Sequence, residues 1–150
     1  MSQSLSRILV HLIFSTKHRQ PFLPHEFYEP LKTYAYGICK EQKCHLIAMN
    51  NVTDHVHLLV DLHRTKEVAE LMMHVKKGTS RWLKEQSPAF DKFAWQEGYG
   101  AFSLGISQRA AVVAYIANQQ AHHPLRGDQD EFRDFLNRYE LEYDERYVWD

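Results

Sequence analysis

Residues 44–62 read CHLIAMNNVTDHVHLLVDL. Two apolar stretches flank a polar centre. The first, Cys44 to Met49, predicts a strand. Asn50-Asn51 with Asp54 supplies turn chemistry, and His55 to Leu62, rich in Val and Leu, predicts the returning strand. The pair therefore forms a hairpin. Successive side chains of a strand point to opposite faces, so His55 and His57 project together and Val56 projects away from them.

Working outward, Ile8 to Ser15 (ILVHLIFS) is a dense apolar run and predicts a buried strand. Lys17, His18 and Arg19 follow, and Pro21 and Pro24 interrupt regular structure. His25 to Gln42 carries Phe27, Leu31, Tyr34, Ala35 and Ile38 at helical spacing. Lys66 to Gln86 does the same with Val68, Leu71, Met72, Val75 and Leu83, and Pro88 lies beyond its end. Phe93 to Ile106 (FAWQEGYGAFSLGI) predicts one strand, with a bend or bulge near Gly98 and Gly100. Ser107 is a candidate N-cap for a helix over 108–122, stopped by Pro124. A last helix is expected over about 128–140, with Phe132, Phe135, Leu136 and Tyr139 as its buried edge.

The order β-α-β-β-α-β, then two helices, predicts an α+β fold. It is the ferredoxin-like split βαβ arrangement, an antiparallel sheet with helices on one face, extended by two C-terminal helices. The 150 residues suit one domain spanning 1–150.

Chemistry concentrates in a few places. His55-x-His57 puts two imidazoles on one strand face at a spacing that one metal ion can bridge. Two ordinary polar residues on a sheet surface fit the same pattern, and the chain has ten histidines. Tyr115 and Gln119 stand four apart and share a helix face. Asn118 and His122 lie near that face as possible supporting residues. A tyrosine on a helix is usually a packing residue. Lys76, Lys77, Arg81 and Lys84 make the second helix basic, which suits phosphate contact or a solvated face. Lys17 and Arg19 form a further basic cluster. Trp82, Trp95, Tyr99 and Phe102 could stack on unpaired bases or fill the core.

The overall balance is that of an ordinary globular chain, 44% hydrophobic and 25% charged. Net charge is −1, but it is unevenly spread. Residues 128–150 hold nine acids against three arginines, a net of −6; residues 1–127 hold 15 bases against 10 acids, a net of +5. A basic body suits a nucleic-acid partner. No stretch reaches the ~20 apolar residues of a membrane span, and residues 1–7 lack a secretory pattern, so the expected location is the cytoplasm. Cys39 and Cys44 match neither a zinc nor a disulfide spacing and are expected to be buried thiols. No P-loop, nucleophile elbow or dinucleotide fingerprint occurs.

Four segments, HLIFSTKHR (11–19), DHVHLLV (54–60), WQEGYGAFSLG (95–105) and YIANQQAHH (115–123), resemble the HUH single-tyrosine transposases of the insertion-sequence 200/605 group. The match runs in order over roughly residues 7 to 123. It implies that His55 and His57 are metal ligands, that Gln119 is a third ligand and that Tyr115 is the nucleophile. It implies single-stranded DNA with hairpins as substrate, a 5′-phosphotyrosine intermediate and a homodimer. An amide oxygen beside imidazoles and open water positions fit Mg²⁺ or Mn²⁺ better than zinc. Other readings stay open: a related HUH enzyme that nicks DNA for repeat processing or replication initiation, a non-enzymatic nucleic-acid-binding ferredoxin-like module, and a structural zinc at the histidines.

Overall fold

The computed structural model describes residues 2–118, together with Arg133, Asp134 and Asn137, which are helical. The expected helix over about 128–140, the acidic tail and the positions Gln119 and His122 otherwise lie outside the described residues.

Four strands, β1 (Leu9–Ser15), β2 (His45–Asn51), β3 (His55–Asp61) and β4 (Gly100–Leu104), form one antiparallel sheet in the order β2-β3-β1-β4. Helices α1 (Tyr28–Glu41) and α2 (Val68–Gln86) follow the first and third strands, and α3 (Arg109–Ala117) follows the fourth. This is the α+β, split βαβ layout expected from the sequence. Among the described residues no helix is long and apolar enough to cross a membrane.

Strand alternation divides the molecule into two layers of packing. Val10, Leu12 and Phe14 of β1 and Val56, Leu58 and Val60 of β3 meet Leu31, Ala35 and Cys39 of α1 and Leu71, Met72, Val75 and Leu83 of α2 in the main core. The odd-numbered side chains face the other way. There Leu9 and Leu59 pack with Ile116, Val112, Val113 and Tyr115 of α3. So α1 and α2 share one face of the sheet, and α3 covers the opposite one, the face that carries His55 and His57. Cys39 and Cys44 are buried free thiols, and burial, then Cys44 nearby, pushes the Cys39 thiol up to about 12.

Three expectations need correction. The polar pair Asn50-Asn51 does not form the hairpin turn; both residues belong to β2, opposite His57 and Val56, and the turn is residues 52–54. Their amides find partners without leaving the strand: Asn50 donates to carbonyls of α3, and Asn51 to Val52 O. Of Phe93 to Ile106 only Gly100–Leu104 is regular strand, and the bulge expected near Gly98 is an excursion of the chain. Trp95 bridges Thr16 and Gly100 pairs with Ile13, so the β4 side carries two more residues than β1 between those pairings. The excess loops out at Glu97, Gly98 and Tyr99. Finally, α3 is entered from Gly105 and not Ser107: Gly105 N–H donates to Gln108 Oε1, and Gln108 N–H donates to Gly105 O, through a short 3-10 turn at Ile106–Gln108.

Lys76 holds that loop. Its ammonium donates to the carbonyls of Gln96 (2.8 Å), Glu97 (3.2 Å) and Gly98 (2.7 Å). Burial pushes Lys76 down to about 8, with Glu97 opposing. All three protons are committed to backbone, whereas Lys77, Arg81 and Lys84 of the same helix are exposed. Lys76→Met is therefore expected to lower stability by about 1–2 kcal/mol, since it strips a charged donor from three carbonyls. Lys77→Met should change it by less than about 0.5 kcal/mol. Urea unfolding of the two variants checks this; equal midpoints would show that Lys76 does not clamp the loop.

Candidate active site

His55 and His57 stand at the start of β3, on the face that α3 covers. Both are buried, and their ring centroids are 5.3 Å apart. Strand geometry brings them together, as the i, i+2 spacing requires. α3 brings Tyr115 against His57: its ring centroid is 5.8 Å from that of His57, at 68°. Tyr115 also packs with the Leu9–Leu59–Ile116 cluster, so its ring is both wedged in place and partly exposed.

Each imidazole has its second nitrogen engaged. His55 Nδ1–H donates to Asp54 Oδ1 at 2.9 Å. That leaves the lone pair on Nε2, the arrangement in which metal-binding imidazoles are usually held. Asp54 is in turn approached by Arg19, whose Nε lies 3.9 Å from Asp54 Oδ2. His18 and Arg19 both adopt left-handed backbone (φ 55° and 56°), a conformation costly for non-glycine residues, in the turn that brings Arg19 there. Arg19 is thus largely buried against the site, while Lys17 beside it is exposed.

His57 Nδ1 lies 2.9 Å from Nε2 of His11, across the sheet on β1. His11 is 1% exposed, and burial pushes its imidazole down to about 4 from the usual 6.5. The folded value lies below the unfolded one, so the fold retains the neutral ring. This contribution to stability is complete above about 6.5 and is lost progressively as pH falls toward 4. A His11→Leu protein should show a shallower loss of stability over that window in urea titrations; an unchanged slope would mean the ring is not held neutral.

Ser15 stands opposite His55 in the β1–β3 register. Its hydroxyl is buried and has no hydrogen-bond partner among the described residues. A buried polar atom beside two imidazoles with their outer nitrogens fixed fits a site for a hydrated cation. Among the described residues no three His, Cys, Asp or Glu side chains converge on a metal position. The third ligand expected from the sequence, Gln119, lies outside them, as does His122. Asn118, expected as a supporting residue, ends α3 and folds its amide back onto Ala114 O at 2.9 Å.

Two contributors escaped the sequence reading. His11 is one. Asn50 is the other: its Nδ2 donates to Ile116 O (3.1 Å) and Ala117 O (3.3 Å), the last turn of α3. Asn50 is paired with His57, so it ties the helix that carries Tyr115 to the strand beside the histidines. Of the aromatic residues considered for base stacking, Trp95 is buried against Phe14 and Phe93 and donates to Thr79 Oγ1, and Phe102 is buried. Trp82 stacks on Tyr34, and Tyr99 stays on the surface beside Lys76.

The profile of the IS200-like transposases matches residues 4–119, most of the chain. This chain belongs to the IS200-like transposase family. Its relatives agree. The ISDra2 transposase TnpA of Deinococcus radiodurans is 25% identical over 114 residues, covering 73% of this chain and 81% of that protein. A crystal structure of a candidate transposase from Deinococcus radiodurans R1 superposes with a TM-score of 0.62 at 24% identity, covering 79% of this chain and 98% of that one. A REP-associated tyrosine transposase, solved with a REP hairpin bound, gives 0.61 at 14% identity, over 82% and 74% of the two chains. These two share the IS200-like transposase fold.

Proposed function

We propose that this IS200-like transposase cleaves and rejoins single-stranded DNA at hairpin-bearing ends through a 5′-phosphotyrosine on Tyr115. The observation that carries the reading is the edge contact of Tyr115 with His57, whose ring neighbours that of His55, one candidate nucleophile against one candidate ligand set. His55 and His57, with Gln119 as third ligand, would hold a divalent cation, Mg²⁺ or Mn²⁺. Bound there, the cation would polarise the scissile phosphate and offset charge in the transition state.

The protein's own groups do the rest. The Tyr115 hydroxyl attacks phosphorus and gives up its proton; the bond from phosphorus to the 3′ oxygen breaks, and that oxygen leaves and is protonated as a 3′-OH. The phosphodiester becomes a phosphotyrosyl ester, so a second 3′-OH can reverse the step without ATP. Lys17, Lys77, Arg81 and Lys84 offer exposed charge for phosphates. Arg19 and Lys76 are proposed as indirect contributors to DNA binding, one through Asp54 and one through the 96–98 loop.

The test is incubation with labelled single-stranded DNA from the flanks of the protein's own gene and divalent metal. A denaturation-resistant protein–DNA adduct is expected. Its absence with every hairpin-bearing flank, under conditions in which the DNA binds, would overturn the reading. A homodimer is expected too, and among the described residues β2 and β4 are the edge strands of the sheet. Sedimentation should give twice the monomer mass at micromolar protein; a fully active monomer would refute it.

A further inference from the structure

His55 and His57 have different partners behind them. His55 leans on a carboxylate, Asp54, which can only accept a hydrogen bond at neutral pH. His57 leans on another imidazole, His11. The latter contact is ambiguous in a way that matters. A neutral imidazole carries one N–H, and the hydrogen bond made by one nitrogen decides what the other can do. If His11 Nε2–H donates to His57 Nδ1, then neutral His57 carries its proton on Nε2 and has no lone pair to offer there. If His57 Nδ1–H donates to His11 Nε2, the lone pair stands on His57 Nε2.

We propose that His11 is a positioning residue for His57: it accepts the His57 Nδ1–H and thereby fixes the lone pair on the nitrogen that would bind the cation. This rests on the metal role given to His57 above. The geometry favours a built contact over a chance one. His11 lies on β1 opposite Leu59, on the same sheet face as His57 and diagonal to it. The rings are 5.1 Å apart and inclined by 32°, and the edge of Phe102, the β4 partner of His11, closes on the His11 ring at 6.4 Å. Both imidazoles are 1% exposed, so water has little access to compete for the shared hydrogen.

The choice of an imidazole has a chemical logic. A second carboxylate behind His57 would orient it equally well. It would also add a negative charge close to where an anionic phosphodiester must approach, and in a buried site that repulsion is weakly screened. A neutral acceptor orients the ligand without that penalty.

The test reads the tautomer directly. Long-range ¹H–¹⁵N spectra of metal-free protein distinguish a protonated Nδ1 from a protonated Nε2. His57 in the wild type is expected to carry its proton on Nδ1. His11→Leu, which removes the acceptor, should shift His57 toward the Nε2–H form and weaken Mn²⁺ binding by about 10–100-fold, read by the EPR signal of unbound Mn²⁺. His11→Gln, whose amide oxygen can accept, should restore the Nδ1–H form and most of the affinity. A wild-type His57 protonated on Nε2 would overturn the proposal, as would a His11→Leu protein with unchanged tautomer and Mn²⁺ affinity. If His11→Leu does not fold, the wild-type spectrum and His11→Gln still decide. His57→Ala separates the two ideas: Mn²⁺ binding as tight as wild type would sink the metal reading, while the spectrum alone would still fix the direction of the hydrogen bond.

Discussion

Tyr115→Phe is expected to abolish DNA cleavage and the covalent adduct together while leaving a folded, DNA-binding protein. The substitution removes one oxygen and keeps the ring that packs with Leu9, Leu59 and Ile116. A change of this size should shift stability by less than about 1.5 kcal/mol. Phosphate and base contacts do not require the phenol, so affinity for single-stranded DNA should hold. Eight tyrosines are present, and among the described residues Tyr115 packs against His57. Mass spectrometry of a trapped adduct from the wild type is the decisive reading. A DNA-linked peptide carrying another tyrosine would refute the assignment even if the enzyme class stood.

The second large effect is expected at the histidine pair. His57→Ala and His55→Ala should each eliminate metal-dependent cleavage, because a single remaining imidazole on the strand makes a poor chelate. The two need not cost the same in stability. His57→Ala takes a hydrogen-bond partner from the buried His11 ring, whereas His55→Ala leaves Asp54 still near Arg19. Losing the partner of a buried polar atom costs about 1–3 kcal/mol, so His57→Ala should be the less stable of the two. Circular dichroism and urea unfolding, run beside the cleavage assay, separate loss of metal from loss of fold. Full cleavage by His57→Ala in the same metal buffer would end the metal-site reading.

What could be read from the chain alone was whatever is local. The period of two in HVHLLVDL puts His55 and His57 on one face with no knowledge of their neighbours, and the structure keeps them there. The helical run that carries Tyr115 is likewise local, although which face of the sheet α3 covers is not, because both faces of β1 and β3 carry buried apolar residues. His11 was passed over because its role depends on pairing with a residue 46 positions away. A signal was available: a histidine in the middle of the apolar run ILVHLIFS must be buried, and a buried imidazole requires a partner. Asn50 was misread because two asparagines in sequence favour a turn, and only the arrival of α3 gives the first of them carbonyls to cap. Lys76 looked like its neighbours on the helix until the 96–98 carbonyls closed on it.

The histidine ladder has one consequence for how the protein can fail. His57 hangs from β3 and His11 from β1, the two interior strands of the sheet. A slip of one residue between these strands would put the two rings on opposite faces of the sheet. Register and chemistry are therefore a single property here. Fraying at the margins of the sheet should leave the imidazoles in place, and the amide hydrogens of His57 and Leu59 should exchange with solvent only through the rarest, whole-molecule openings. Wear on this protein, from heat or from accumulated substitutions, should accordingly appear as a smaller fraction of fully competent molecules rather than as a population of slow ones.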